Sequence, residues 1–441
     1  MFVTLPSQQR GTMAGVKEYL PRGTAPPAMP SAFYVVLAVQ FISTLADNAF
    51  LIVAIARVME LAEADWRIPA LKIGFTLFYV VLAPLAGPVS DSFRKGYVML
   101  VASTCKVMAM ILLLAGLDPL LAIAVAGLGS AMNAPAKYGL MTELLPTYDL
   151  VRANGYFESA TVCAVILGTV LGGVLISPAM PHWDWPMPWN FAQNTSTHLV
   201  AGMSALLALN VIATVMCLRV ADSGARYQRH SIQPVALMQK FWHGNILLWR
   251  DPLGGISMAV TSLLWGVGAT LQLIVLRWAN EALGLPLEQA AYLQGVTAVG
   301  VVVGAVLASR FVSLAFTVRL LPLGIVLGLL IPGLLFVESV TQAAVLLVVV
   351  GAIAGFFVVP MNALLQHRGY TLLTAGRSIA VQGFNENAGM LVMLAVYAGA
   401  IGLQLSLQAL IVGFGVLVVS GMVLVIAARR RYNGDTASAV V

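Results

Sequence analysis

The chain has 441 residues, of which 60% are hydrophobic and only 10% charged, with a formal net charge of +6. A soluble domain carries about 25% charged residues, so this chain cannot cover a water-facing surface, and its solvent is lipid. The excess of cations makes no nucleic-acid surface, because Lys and Arg stand singly between apolar runs and form no broad basic face that tracks phosphates.

Residues 1–31 mix charge, Gly and Pro without a continuous apolar core, which argues against a cleaved signal peptide and predicts a flexible cytoplasmic tail. Apolar runs of roughly 20 residues, enough to cross about 30 Å of hydrocarbon, then recur. They predict helices near 32–59, 69–90, 97–116, 118–145, 154–177 and 199–219, then 252–277, 287–309, 317–337, 341–366, 378–402 and 406–428. The expected fold is an all-α polytopic membrane protein with about twelve spans in two pseudo-symmetric six-helix bundles. The bundles cover 32–219 and 252–428, joined by a cytoplasmic linker at 220–251 and followed by a tail at 429–441. On this reading 18 cations lie at one face, Arg94, Lys95, Arg152, Arg319 and Arg429 among them, and 3 at the other (Arg67, Lys72 and Arg277). The positive-inside rule then puts both termini in the cytoplasm.

The outer stretch 177–198, with Trp183, Trp185 and Trp189, reads as an interfacial aromatic loop, and its Asn194-Thr195-Ser196 sequon as a chance match. Cys105, Cys163 and Cys217 lie in apolar runs without metal or disulfide spacing.

Ionisable side chains inside the spans cost several kcal/mol unless paired or wetted, so each marks a candidate site. In the first span, Gln40, Thr44, Asp47 and Asn48 make a polar stripe at helical spacing that should face a water-filled cavity. In the fourth, Lys137 follows Asn133 and Pro135, whose helix break frees carbonyls; a cation held there suits a phosphate, and a structural ion pair with Asp47 or Glu158 is the alternative. Lys106 and Glu143 read as snorkelling side chains with no assigned role. In the seventh span, Trp265 stacks along a substrate or packs as an ordinary aromatic; in the tenth, Pro360, Asn362 and Gln366 form a polar trail.

Asn154-Gly155-Tyr156-Phe157-Glu158-Ser159-Ala160 is echoed by Gln382-Gly383-Phe384-Asn385-Glu386-Asn387-Ala388 at an offset of 228. Asn133-Ala134-Pro135-Ala136 faces Val358-Val359-Pro360-Met361 at 225. The shared offset argues for a duplicated half, whose interface encloses a substrate path near mid-membrane. Glu158 and Glu386, as repeat equivalents, read as gating partners, with a role as substrate ligands the alternative. Gly168-x3-Gly172 and Gly300-x3-Gly304 read as helix-packing contacts. Gly87-x3-Asp91-x3-Lys95 resembles the loop signature of the major facilitator superfamily; its Asp can accept from a neighbouring helix N-terminus and latch one gate state. The second half has Gly304-x3-Ala308 at that place and lacks the acid.

Several strings together resemble the bacterial lysophospholipid transporter family, a branch of that superfamily. They are Gln40-Phe41 through Asp47-Asn48-Ala49, Pro135-Ala136-Lys137-Tyr138-Gly139, Ala153-Asn154-Gly155 with Glu158-Ser159-Ala160, and Ser262-Leu263-Leu264-Trp265-Gly266. Gly355-Phe356-Phe357-Val358-Val359-Pro360 with Asn362 to Gln366, and Ile379-Ala380-Val381-Gln382 with Glu386-Asn387, complete the set. The resemblance implies a flippase that returns lysophosphatidylethanolamine and lysophosphatidylglycerol from the outer to the inner leaflet of the bacterial inner membrane. It also implies reacylation there by a partner acyltransferase/acyl-carrier-protein synthetase, with no cofactor. Lys137 would take the phosphate, Asp47 the ethanolamine, and the apolar helices one acyl chain. Where the family has an arginine after Trp-Gly-x-Gly-x-Thr-Leu, this chain has Gln272, which can hydrogen-bond a phosphate but brings no charge; Gln272→Arg is expected to strengthen handling of lysophosphatidylglycerol.

Two rivals stand beside this reading. A proton-coupled exporter of drugs or metabolites would use Asp47 or Glu158 as a titrating carboxylate. An intramembrane lipid-modifying enzyme is disfavoured, since no His is followed five residues later by Asp and no metal or Ser/His/Asp spacing appears.

Overall fold

The computed structural model describes residues 29–61, 67–177, 197–225, 227, 233–285 and 287–438. Residues 1–28 of the expected tail, the tryptophans of the 177–198 loop with its sequon, Arg226, Arg229 and residues 439–441 lie outside the described residues.

The first half runs through α1 (Ser31–Glu60), α2 (Arg67–Val81), α3 (Ala83–Ser92), α4 (Lys95–Leu114), α5 (Pro119–Leu144), α6 (Leu150–Leu175) and α7 (Thr197–Cys217). A linker helix, α8 (Pro234–Arg250), leads to α9 (Pro252–Leu283), α10 (Leu287–Phe311), α11 (Pro322–Leu330), α12 (Val340–Leu372), α13 (Ala375–Gly402) and α14 (Leu407–Ser438). Among the described residues ten helices are long and apolar enough to cross a membrane, and two bent pairs, each counted as one span, make twelve.

The bent pairs fall at the spans expected near 69–90 and 317–337, each of which is broken into two pieces. The α2–α3 pair turns by 61°, and the 3-10 segment Leu314–Leu320 meets the helix that follows at 45°. Each bend has a proline just past it, Pro84 and Pro322. Proline has no N–H for the helix ladder, and its ring collides with the carbonyl four residues back.

The linker stretch also holds more than a connection. In α8, Leu237, Phe241, Asn245 and Leu248 are buried at helical spacing, while Val235, Met238, Trp242, Ile246 and Trp249 are exposed. Its inner face rests on α3, α9, α12 and α13. Phe384 of α13 meets the rings of Phe241 and Trp242 edge-on at 5.3 and 5.6 Å, and Trp249 donates to Asn385 Oδ1 at 2.9 Å.

Glycines set the close packing within each half. A Cβ at Gly168 would lie 2.4 Å from the Leu45 carbonyl oxygen, and one at Gly304 only 2.0 Å from that of Ala352, as expected of small-residue helix contacts. The halves meet along two related seams, α3 on α13 and α6 on α10. The end of the bundle that carries α8 is called the linker end below, and the opposite one the distal end.

Candidate functional site

A layer of polar side chains crosses the first half at mid-depth. Lys106 stands eleven residues into α4, about 16 Å along its axis. Its Nζ donates to Asp47 Oδ2 at 2.6 Å and to Ser43 Oγ at 2.8 Å, both on α1. Ser130 of α5 adds a bond to Asp47 Oδ2 at 3.3 Å, and Tyr79 of α2 lies within reach of Ser130. The pair is enclosed: the Lys106 side chain is 4% exposed and that of Asp47 17%. The first half thus neutralises Asp47 from within.

Lys137 is held differently. Its ammonium donates to the neutral amide oxygen of Gln40 and lies 5.0 Å from the ring centre of Tyr138. Gln40 passes the chain on to Thr161 Oγ1 of α6 at 2.8 Å. No carboxylate bonds Lys137 among the described residues. A proline inside α5, Pro135, lies two residues before Lys137, and the buried Asn133 about one turn before it.

The second half brings acids to the same region. Gln382 Nε2 of α13 donates to Glu386 Oε1 at 2.9 Å and to Asn362 Oδ1 of α12 at 3.2 Å. Glu158 of α6 is half-buried and has no hydrogen-bond or ion-pair partner among the described residues. Glu386 lies close enough to feel the charge of Glu158, and Tyr138 feels both. Among the described residues, Asn133 Oδ1, Ser159 Oγ, Ser262 Oγ, Trp265 Nε1 and Gln382 Oε1 are buried without a hydrogen-bond partner. Buried polar atoms are ordinarily satisfied, so this set, drawn from α5, α6, α9 and α13, belongs to a region built for polar company.

Toward the linker end the halves are bolted together. Asp91, in the last turn of α3, accepts from the Thr374 hydroxyl, from Gly376 N–H at 2.8 Å and from Arg377 N–H at 3.2 Å. It therefore caps the N-terminus of α13, where free amides and the helix dipole favour a negative charge. Gly87 permits the approach: a Cβ there would lie 2.8 Å from Arg377 Cα. Lys95 reaches both Asp91 at 3.4 Å and Glu143 at 2.8 Å. Glu143 also accepts from Ser223 at 2.5 Å and Tyr227 at 2.8 Å. Burial, and next the Glu143 carboxylate, push the Tyr227 phenol well above its ordinary range, so it stays a donor. On the second seam Asn154 and Gln366 exchange reciprocal amide bonds at 2.8 and 3.0 Å. In place of an acid equivalent to Asp91, the second half ties Arg368 to Asp251 at 3.0 and 2.5 Å.

The sequence-predicted residues thus fall into three groups. Lys137, Asn133, Trp265, Asn362, Glu158 and Glu386 belong to the central region, and Asp91 and Lys95 to the latch. Asn48 and Gln272 belong to neither. Asn48 turns its amide back to the Thr44 carbonyl at 2.8 Å and packs against Gly168. Gln272 is exposed and paired with Gln294 at 2.7 Å. Asp47 sits in the layer but its partner is Lys106, so the alternative ion pair of Lys137 with Asp47 or Glu158 does not form. Lys106 and Glu143 are corrected most: neither snorkels, because each is buried within reach of an opposite charge. The signal for Lys106 was present, since a lysine flanked by apolar residues in mid-span needs an acid at its own depth, and Asp47 is the one that the first span supplies.

An acid that caps a helix of the opposite half, below a polar layer shared by both, is the working arrangement of a secondary transporter, and the sequence model for the Major Facilitator Superfamily matches residues 36–369. Solved structures share the fold. A bacterial homologue of the iron transporter ferroportin, in an outward-facing state, superposes with a TM-score of 0.67 at 13% identity over 92% of this chain and 100% of that one. The human organic anion transporter TETRAN gives 0.66 at 15% identity over 91% and 100%. Sequence similarity is closer to Lysophospholipid transporter LplT of Serratia proteamaculans, 36% identical over 86% of this chain and 90% of the relative. The protein of that name from Yersinia pestis is 37% identical over 84% and 87%. The chain belongs to the lysophospholipid transporter family of the Major Facilitator Superfamily.

Proposed function

We propose that this protein moves lysophospholipids, lysophosphatidylethanolamine and lysophosphatidylglycerol in the first place, from the outer to the inner leaflet of a bacterial inner membrane by alternating access. The linker end and both termini are cytoplasmic on this reading, residues 32–219 and 252–428 are the rocking halves, and an acyltransferase/acyl-carrier-protein synthetase reacylates the product. The relatives named as lysophospholipid transporters support the cargo. The cation bias at the linker end supports the orientation.

One observation carries the assignment of the site: Asp47 is neutralised by Lys106, so Lys137 faces the central region with, among the described residues, only the neutral Gln40 hydrogen-bonded to it. A lipid phosphate completes that cation. Glu158 and Glu386 take the ethanolamine ammonium, a role given to Asp47 on sequence grounds, while Asn133, Asn362 and the indole N–H of Trp265 supply neutral hydrogen bonds. Asp91 and Lys95 hold the cytoplasmic gate shut. The division of labour follows from magnitudes. At about 0.8 kcal/mol per CH2, an acyl chain of a dozen methylenes loses on the order of 10 kcal/mol if it enters water, so it slides along apolar helix walls. A charged headgroup in bare hydrocarbon meets an even larger penalty, and it is the headgroup that the polar layer serves.

The test is reconstitution of the purified protein in liposomes with labelled lysophosphatidylethanolamine. Movement between leaflets at the rate of protein-free liposomes would remove the lipid assignment. A second reading, a proton-coupled exporter of small molecules, draws on the Glu158 carboxylate, which has no partner among the described residues. Its mark is substrate movement driven by a pH gradient.

A further inference from the structure

Two grooves open near the linker end at places related by the internal repeat, and they differ in charge. In the first half, Phe93, Arg94, Tyr97 and Leu100 face Leu218 and Asp222 across a groove of about 440 Å³. Its cation is compensated, with Arg94 Nε 3.3 Å from Asp222 Oδ2. In the second half, Leu253 and Ile256 of α9, Leu314 and Val318 of the 3-10 segment, Arg319 and Arg429 line a groove of about 360 Å³.

Neither arginine of this second groove is ion-paired among the described residues. Arg429 Nη1 donates to the Val318 carbonyl at 3.0 Å, which fixes it across the gap between α14 and the 3-10 segment. Arg319 lies over the Phe316 ring at 4.7 Å. The acid closest in sequence to the groove wall, Asp251, is already held by Arg368 and by the Gly254 N–H at 2.7 Å. The groove therefore joins two uncompensated guanidinium groups to an apolar floor, at the end of the spans where headgroups lie.

We infer that this groove is a binding site for an anionic glycerophospholipid of the leaflet at the linker end, distinct from the central transport site. The phosphodiester lies between Arg319 and Arg429, which match phosphate oxygens with paired N–H donors. The acyl chains run along Ile256, Leu314 and Val318. The lipid clamps α9 and α14 to the 3-10 segment and so stabilises the second half. The self-neutralised groove of the first half takes no such lipid.

The test measures thermal stability of the full-length protein in detergent with added diacyl phosphatidylglycerol or, at equal mole fraction, diacyl phosphatidylcholine. Wild type should gain a larger rise in Tm from phosphatidylglycerol. Arg319→Gln/Arg429→Gln should lose that difference, whereas Lys137→Gln in the central region should keep it, which separates this site from the transport site. If the double variant does not fold, Arg319→Gln alone, at an exposed position, should lose part of the difference. Full retention by whichever of these two variants is measured would overturn the proposal. So would loss of the difference in Lys137→Gln, or an equal rise with inorganic phosphate alone.

Discussion

Lys106 Nζ lies 2.6 Å from Asp47 Oδ2 in the middle of the first half, an ion pair between helices α1 and α4 that takes the most conspicuous acid of the first span out of play. Removing one partner of such a pair leaves an uncompensated charge in a dry environment, which costs about 3 kcal/mol or more, while replacing both with neutral groups is often close to neutral. Asp47→Asn and Lys106→Met should each lower the unfolding midpoint strongly, and the double variant should recover most of the loss. Additive losses in thermal or denaturant unfolding would contradict a direct pair.

Asp91 ties α3 to the N-terminus of α13 at the linker end, and on the proposed function this cap sets which end is open. Charge-assisted hydrogen bonds contribute about 1.5–3 kcal/mol, so Asp91→Asn should shift the balance between gate states by roughly 10-fold or more toward opening at the linker end. Gln366→Leu, which breaks the amide pair with Asn154, should act in the same direction and more weakly. Distances between spin labels across the linker end report this directly. An unchanged distance distribution in Asp91→Asn would mean that the cap is incidental.

Glu158→Gln and Glu386→Gln should slow lysophosphatidylethanolamine by about 10-fold, on the same scale of charge-assisted bonds, and spare lysophosphatidylglycerol, which has no ammonium. Equal losses for both lipids would remove these acids from headgroup recognition. Loss of a response to a pH gradient would favour the exporter reading.

Asp251 gives a pH signature outside the spans. Burial raises its pKa, but the Arg368 hydrogen bonds and the Gly254 N–H outweigh burial and hold it below its ordinary value of 3.8. A depressed folded-state pKa contributes stability that is present above the unfolded value and lost as pH falls through the folded one. Asp251→Asn should therefore be less stable than wild type at neutral pH, and the gap should close only below the ordinary aspartate range. A gap that closes near neutrality would place the effect elsewhere.

Much of the fold was legible in the sequence because spans must be long and apolar, and because the repeat around Glu158 and Glu386 keeps its offset. The bends were not. Pro84 and Pro322 sit in apolar runs, where proline is tolerated when neighbouring helices satisfy the freed carbonyls, so proline alone does not reveal a 61° turn. Helix α8 was hidden by its charges, although Leu237, Phe241 and Leu248 have the spacing of a buried stripe. The latch was readable from Gly87, Asp91 and Lys95, but not its partners: Thr374 and Gly376 lie 283 and 285 residues away. The pairing of Asp47 with Lys106 was missed for the same reason, since a span carries no local mark of which distant helix faces it. Asn48, by contrast, was misplaced by its own helical spacing; its amide satisfies itself on the backbone one turn back.

The assignment of Lys137 is tested most directly by transbilayer movement of labelled lysophosphatidylethanolamine in proteoliposomes that contain wild type, Lys137→Arg or Lys137→Gln at equal density. The expected result is movement above protein-free liposomes for wild type, partial activity for Lys137→Arg, and a rate about 10-fold lower or worse for Lys137→Gln, from loss of a charge-assisted bond to phosphate. Movement by folded Lys137→Gln at the wild-type rate would contradict it.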